Sequence, residues 1–251
     1  MSDRDIKSAV KEKYGQIAKT SSSCCGPTCG CGSDGTIAAS ITLNDLYQNA
    51  DTEIRENADL GLGCGTPTQF AGLAPGMTVL DLGSGAGIDV FLSAREVGPK
   101  GKVIGVDMTE EMVARARANQ MKLGSTNTEF RLGEIESLPV ESDSIDRVIS
   151  NCVINLVPDK RRAFGEIFRV LRRGGSFSVS DIVSIGDIPD SLRKDMEEWA
   201  GSVSGALARE EYLRIIREAG FKDVSVVSER SFSQEPGIPF ALESVTVRGT
   251  K

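Results

Sequence analysis

Apolar residues recur at helical spacing at the start of the chain, at Ile6, Val10, Tyr14 and Ile17, with charges between them. That spacing predicts an amphipathic helix over residues 1–20. Ser21 to Gly35 is built of Ser, Cys, Gly and Pro and has almost nothing to bury, so it reads as a mobile loop. The helix and this cysteine-rich stretch, residues 1–40, are set apart from the rest, 41–251. Ile41 to Phe70 is mixed and helical in part, and it contains the glycine-rich run Gly61-Leu62-Gly63-Cys64-Gly65.

After Pro75-Gly76 the pattern becomes regular. Thr78–Leu82, Lys102–Val106, Thr128–Leu132, Ile145–Ser150 and Ser176–Ser180 are short apolar runs that predict buried strands. Between them Ile88–Val97, Thr109–Leu123 and Asp159–Leu171 carry helical periodicity, with Thr109 as an N-cap and stops at Gly98-Pro99, Gly124 and Gly174-Gly175. Strands alternating with helices imply a doubly wound α/β fold, with a mostly parallel sheet and helices on both faces. Val224–Val227 and Ser244–Val247 lie too close together for a crossover helix and read as an antiparallel pair at one sheet edge. A helical insertion, about 188–219, precedes them and is expected to cover the active site.

Composition narrows the chemistry. In 251 residues the net charge is −7 and the basic residues are scattered, which argues against a nucleic-acid partner. No apolar stretch is long enough to span a bilayer, and Met1-Ser2-Asp3-Arg4-Asp5 lacks a signal-peptide pattern. No membrane partner is expected, and the expected compartment is the cytoplasm. Thiols there stay reduced, so the six cysteines read as ligands or reactive groups rather than a disulfide frame. There is no histidine, which excludes Ser-His, Cys-His and His-metal mechanisms.

The turn Asp81-Leu82-Gly83-Ser84-Gly85-Ala86-Gly87 joins the first predicted strand of the regular region to a helix, and its glycines let backbone approach a ligand closely. Asp107 ends the next strand, where an acidic residue grips ribose hydroxyls. A dinucleotide fingerprint needs glycine at position 88, which is Ile88. The G-x-G-x-G spacing instead resembles the first motif of the Rossmann-like class I S-adenosylmethionine methyltransferases. That resemblance runs over about residues 75–182. It implies that Asp81, Gly83, Ser84, Gly85 and Gly87 cradle the donor, and that Asp107 and Met108 bind ribose and cover one adenine face. Glu134 and Ile135, after Gly133, would meet the adenine edge, and Asn151 would lie near the sulfonium.

Four cysteines, Cys24, Cys25, Cys29 and Cys31, crowd into eight positions without apolar company. Cys64 sits in the glycine-rich run, and Cys152 follows Asn151 at the carboxyl end of the fourth strand, where α/β folds bind ligands. A buried free cysteine usually serves as a small hydrophobe, but a polar loop gives packing little to explain. Zinc is the ordinary occupant of cysteine clusters, yet the cluster does not form two C-x2-C pairs. A soft thiophile that takes pyramidal sulfur ligands, such as trivalent arsenic, fits the donor set better.

The chain also resembles the arsenite S-adenosylmethionine methyltransferases. The matching stretches are Lys13-Tyr14-Gly15, Ser23-Cys24-Cys25-Gly26, Ala58–Gly65, Leu80–Gly85, Ser150-Asn151-Cys152-Val153-Ile154-Asn155-Leu156, and Gly205-Ala206-Leu207 with Glu210-Glu211-Tyr212. The family's further arsenic-binding cysteine is replaced here by Ser202, within Ala200–Leu207. The resemblance implies methyl transfer to thiol-bound arsenite, and possible reuse of methylarsenite, in arsenic detoxification, with Cys64 and Cys152 at the reaction centre. Cys24, Cys25, Cys29 and Cys31 would act as arsenic ligands or redox groups, and a thiol reductant such as thioredoxin or glutathione would restore them. Attack by an arsenic lone pair removes no proton from the nucleophile, in keeping with a chain lacking histidine. Two alternatives stay open: a methyltransferase for another small molecule, and a sensor module holding zinc or a metalloid.

Overall fold

The computed structural model describes residues 3–20, 46–186, 188–189, 205–232 and 240–251. Helices α1 (Asp3–Lys19), α2 (Thr52–Ala58) and α3 (Pro67–Phe70) precede an alternating run of β1 (Thr78–Leu82), α4 (Ile88–Val97), β2 (Lys102–Asp107), α5 (Glu110–Lys122), β3 (Thr128–Leu132) and β4 (Ile145–Asn151). A 3-10 turn (Ile154–Leu156), α6 (Lys160–Val170), β5 (Leu171–Ile185), α7 (Arg209–Glu218), β6 (Lys222–Ser231) and β7 (Ala241–Thr250) follow.

The strands form one seven-stranded sheet in the order β3-β2-β1-β4-β5-β7-β6. The first five in that order pair in parallel, and β7 inserts antiparallel between β5 and β6. The expected doubly wound sheet with an antiparallel edge pair is therefore present. From β1 the chain winds outward through β2 and β3, then returns to β4 on the other side of β1. Such a reversal opens a crevice beyond the carboxyl ends of β1 and β4.

Side-chain alternation along the strands divides the core into two layers. Leu80, Leu82, Val148, Phe177 and Val179 face α6 and α7, where Phe164 and Tyr212 meet edge to face at 5.6 Å. Val79, Val103, Ile149 and Phe130 face α4 and α5. In α6 the buried residues Ala163, Phe164, Ile167 and Val170 make one stripe, as the spacing i, i+1, i+4, i+7 requires. Helix α1 packs on α5, and Ile6 and Val10 are buried against Leu156, so the N-terminal helix forms part of the same body.

Several boundaries differ from expectation: β6 and β7 run beyond Val224–Val227 and Ser244–Val247 at both ends, and the largest changes are at β5. Helix α6 stops at Val170, ahead of Gly174-Gly175, and Leu171 already belongs to β5, which runs to Ile185 rather than ending at Ser180. At its start, Gly174 and Gly175 exchange backbone hydrogen bonds with Lys251, and the pairing with β4 shifts register between Ile145 and Arg147. At its end, β7 supplies partners as far as Ala241 opposite Ile185, and Tyr212 donates to one oxygen of Asp181, the polar interruption in the strand. Of the insertion expected at about 188–219, residues 190–204 lie outside the described residues, as does the loop Ser21 to Gly35. The described part, α7, packs against α6, β5 and β6.

Candidate active site

The glycine turn after β1 is shaped by three left-handed residues, Gly83 (φ 65°), Gly85 (φ 51°) and Gly87 (φ 99°). A Cβ on Gly83 would come within 2.5 Å of the Val153 methyls, so β1 and the segment after β4 meet only because that carbon is missing. A Cβ on Gly85 would meet nothing within 4 Å and would point into open space, as a backbone that cradles a ligand does. Gly85 N–H donates to Asp107 Oδ2 at 3.0 Å, and Thr109 N–H to Asp107 Oδ1 at 2.9 Å. Those bonds fix the carboxylate at the end of β2.

This turn forms one wall of a cleft of about 1100 Å³, counted with its open mouth. Asp81, Gly83, Ser84, Gly85, Asp107, Met108, Ile135, Asn151 and Cys152 all line it, so most of the expected donor-binding residues converge. Glu134 does not. Its carboxylate takes Lys7 Nζ at 2.7 Å and Lys11 Nζ at 3.7 Å, and Glu136, paired with Lys7 at 3.0 Å, faces the cleft instead. Gly87 also lies outside the lining. Its Cβ would strike Phe91 at 2.7 Å and Phe130 at 2.9 Å, so its part is to let the turn pack on the core. Lys7, Val10 and Tyr14 of α1 close one side of the cleft.

The cleft is acidic. Asp81, Asp89 and Asp107 surround it, and burial raises the pKa of all three. For Asp81 the charges of Asp89 and Asp107 add to burial and push it well above the ordinary carboxylate range. Asp89 is raised to about 6 by burial, against hydrogen bonds from Tyr47 and Asn151 that favour the ionised form. Asp89 Oδ1 and Ser84 Oγ are buried and have no hydrogen-bond partner among the described residues, a costly arrangement unless a ligand supplies one. Buried carboxylates with an orphaned oxygen fit a cationic ligand.

The Asp89 charge has a measurable consequence. Its folded pKa lies above the unfolded value, so ionising it on folding is unfavourable, and that penalty fades as pH falls below about 6 and the folded group takes up its proton. Asp89→Asn should therefore make the ligand-free chain more stable than wild type at pH 7.5. The gap should begin to narrow as pH falls below about 6 and close only near the ordinary carboxylate value of 3.8, read as the difference between the two chemical unfolding curves.

Cys64 and Cys152 come together. Their thiols are hydrogen-bonded to each other, and both belong to a small apolar cluster with Ile182, Ile188, Ala206, Phe240 and Leu242. Neither is in a disulfide. Cys152 lines the cleft and adopts a left-handed backbone (φ 60°), a conformation that costs a non-glycine residue free energy and turns the chain out of β4. Cys64 is 2% exposed behind it, and burial, followed by the bond to Cys152, pushes its thiol well above the usual range. Cys64 therefore keeps its proton until a thiophile displaces it.

Asn151 explains how a loop more than 80 residues away is brought to β4. Its Oδ1 accepts from Cys64 N–H at 3.0 Å and Gly65 N–H at 3.2 Å, and its Nδ2 donates to Gly65 O at 2.7 Å and to Tyr47 Oη at 2.8 Å. Ser244 Oγ donates to Cys64 O at 2.6 Å. A Cβ on Gly63 would lie 2.8 Å from Asn151 Nδ2, and one on Gly65 2.5 Å from Ser180 Oγ, so the run needs glycine on both sides of its cysteine. On the far side of β5, Tyr212 Oη donates to Asp181 Oδ2 at 2.8 Å, and burial raises Asp181 to about 7.

The sequence reading missed Tyr47, Asp89, Glu136 and Asp181. Asp89 looked like an ordinary acidic residue in a helix's first turn. Asp181 did carry a signal, as a lone acid beside the apolar strand core Ser176–Ser180. Cys24, Cys25, Cys29, Cys31 and Ser202 lie outside the described residues. Among the described residues no cluster suited to a metal ion is present, and no helix is long and apolar enough to cross a membrane.

A methyltransferase-domain family profile matches residues 73–220. An arsenite methyltransferase of Halobacterium salinarum is 46% identical over 236 residues, 90% of this chain and 60% of its own length. One of Aquipseudomonas alcaligenes is 39% identical over 178 residues, 68% of this chain and 51% of its own. The crystal structure of an arsenic(III) S-adenosylmethionine methyltransferase from Chlamydomonas reinhardtii superposes with a TM-score of 0.71 at 36% identity, covering 81% of this chain and 71% of that one. The chain thus spans 60% or less of the length of those two curated relatives.

Proposed function

From the premise that this chain belongs to the arsenic(III) S-adenosylmethionine methyltransferase family, we propose that it transfers a methyl group from S-adenosylmethionine to trivalent arsenic held by Cys64 and Cys152. The observation that carries this reading is the reduced dithiol beside an acidic cleft at the switch point of the sheet.

The cleft residues suit the donor. Its orphaned Asp89 and Ser84 oxygens and its acidic wall would satisfy a ligand carrying positive charge, and the open space at Gly85 admits close approach. Asp107 would bind the ribose hydroxyls, Met108 and Ile135 would flank the adenine, and the turn Gly83–Gly87 would follow the amino-acid end. Bound there, the donor supplies a methyl carbon made electrophilic by its sulfonium. The chain's own residues do the rest. The thiols of Cys64 and Cys152 exchange for hydroxyl or thiol ligands of arsenic, each proton leaving with the displaced group, and hold the metalloid in line. Such positioning is worth up to roughly 7–11 kcal/mol in well-oriented cases. Apolar neighbours Ile182, Phe240 and Leu242 exclude water around the sulfurs. The arsenic lone pair forms the new bond to carbon while the carbon–sulfur bond breaks, so no general base is required.

Methylation oxidises arsenic from the trivalent to the pentavalent state. A pair of thiols returns two electrons and becomes a disulfide, and an external dithiol such as thioredoxin, or glutathione, reduces it again. Cys24, Cys25, Cys29 and Cys31 are the proposed redox groups or additional ligands, and a reducing cytoplasm is the compartment that suits them. With Ser202 where the family has cysteine, the chain holds arsenic through Cys64, Cys152 and a third sulfur from the N-terminal cluster, or through two sulfurs alone with fewer methylation rounds.

Incubation with arsenite, S-adenosylmethionine and a thiol reductant, followed by speciation of arsenic, should yield methylarsenicals. Donor binding without arsenite-dependent turnover would favour a methyltransferase for another substrate. Ser202→Cys should tighten arsenite binding or raise the dimethyl fraction, and an unchanged product distribution and affinity would remove position 202 from the ligand set.

A further inference from the structure

One chain of hydrogen bonds joins the acidic wall of the cleft to the cysteine loop. Asp89 is 4% exposed, lines the cleft, and leaves Oδ1 without a partner among the described residues. Its other oxygen accepts from Tyr47 Oη at 2.8 Å and lies 3.3 Å from Asn151 Nδ2. Tyr47 Oη in turn accepts from Asn151 Nδ2, and Asn151 Oδ1 holds the amides of Cys64 and Gly65. The two amide hydrogens of Asn151 thus face three acceptors, Tyr47 Oη, Gly65 O and Asp89 Oδ2. That arrangement depends on where the Asp89 carboxylate sits and on its charge.

Building on the proposed function, we infer that Asp89, Tyr47 and Asn151 are positioning residues that couple the two half-sites. A cationic group bound at Asp89 fixes its carboxylate, Tyr47 then stays committed as a donor to Asp89, and Asn151 is left to clamp the Cys64 loop. An arsenical that bridges Cys64 and Cys152 orders the same clamp from the other end. A network with two arrangements, biased by both ligands, gives a coupling that is equal in both directions. Donor and arsenical therefore tighten each other's binding. The positive centre at the donor's reacting atom is absent from the demethylated product, so the coupling relaxes once the methyl group has left.

The test measures the dissociation constant of sinefungin, an unreactive donor analogue in which a carbon bearing an ammonium replaces the methylsulfonium, with and without saturating arsenite. In wild type arsenite should tighten sinefungin about fivefold or more. S-adenosylhomocysteine, with no cation there, should show a clearly smaller change. Tyr47→Phe keeps the ring and loses the relay hydroxyl, and it should still bind both ligands with the arsenite effect close to one. Asp89→Asn, isosteric and uncharged, should weaken sinefungin and also lose the effect. Cys64→Ser should abolish it while leaving sinefungin binding alone intact. A purely structural role for Tyr47 would lower thermal stability or both affinities and keep the ratio. Wild type that binds both ligands with a ratio near one overturns the coupling, as does Tyr47→Phe with the wild-type ratio. Wild type that binds neither ligand overturns the proposed function itself.

Discussion

Replacing Cys64 or Cys152 by serine is expected to lower methylarsenical formation by on the order of 100-fold or more, with donor binding and fold retained. Both thiols are buried, are bonded to each other, and share one apolar cluster, so each serine occupies a smaller volume and its hydroxyl can keep a hydrogen bond to the remaining thiol. Packing should suffer little. The ligand chemistry changes completely, because a hydroxyl is a hard donor that does not replace thiolate on a soft centre. Arsenic left on one sulfur is no longer fixed in line with the methyl carbon, and misplacement by about 1 Å is enough to cost on the order of 100-fold. The assay is arsenic speciation, with the unfolding midpoint and sinefungin affinity measured beside it. Undiminished turnover in both variants would remove arsenic from this dithiol.

Gly65→Ala should produce the second large effect, at a residue that carries no chemistry. The added Cβ would lie 2.5 Å from Ser180 Oγ and 2.6 Å from Ser180 Cβ, inside a strand that cannot move without disturbing its partners β4 and β7. The loop must yield, and Gly65 is tied to Asn151 through both N–H and C=O, so the shift reaches Cys64 next door. Overpacking of this kind costs about 1–3 kcal/mol of stability. Displacing the sulfur by a fraction of an ångström should reduce turnover by about tenfold or more. Adding Ser180→Gly removes the obstructing hydroxymethyl group and should return most of the activity, although it forfeits the 2.9 Å bond between Ser180 Oγ and Thr246 Oγ1. If the double variant is as impaired as Gly65→Ala alone, the glycine serves something other than close approach to β5.

The two glycine-bearing loops differ in how plainly they could be read. Gly83, Gly85 and Gly87 sit between an apolar strand and a helix, a local pattern whose spacing, with Ile88 at the position of a third fingerprint glycine, already departs from a dinucleotide turn. The run Gly61–Gly65 could be read as unusual, but nothing local says what it touches. Its partners are Asn151, Ser180 and Ser244, contributed by β4, β5 and β7. Asp89 is the same kind of case. As a first-turn helix acid it is unexceptional, and only its packing against Tyr47 and Asn151 turns it into a buried, partly orphaned carboxylate. Glu134 errs in the opposite direction. It stands at the expected sequence position after β3, yet lysines from α1 draw it outside the cleft and Glu136 faces inward. The start of α1 was legible as amphipathic, whereas its use as a cleft wall was not.

Read alone, the chain determined the alternation of buried strands and amphipathic helices, the antiparallel edge, the glycine turn after β1 with an acid at the end of β2, and the identity of two cysteines. These are local properties: periodicity, glycine spacing and the chemistry of sulfur act over a few residues, where chain connectivity already fixes the neighbours. Tertiary structure decided that Cys64 and Cys152 are one dithiol, that Asn151 clamps the loop carrying the first of them, and that three carboxylates share a single cleft. Each of those depends on contacts between segments 60 or more residues apart, or on the sheet bringing β1, β2 and α4 to one end. Burial, which raises the pKa of Cys64 and Asp89, exists only after those segments have met.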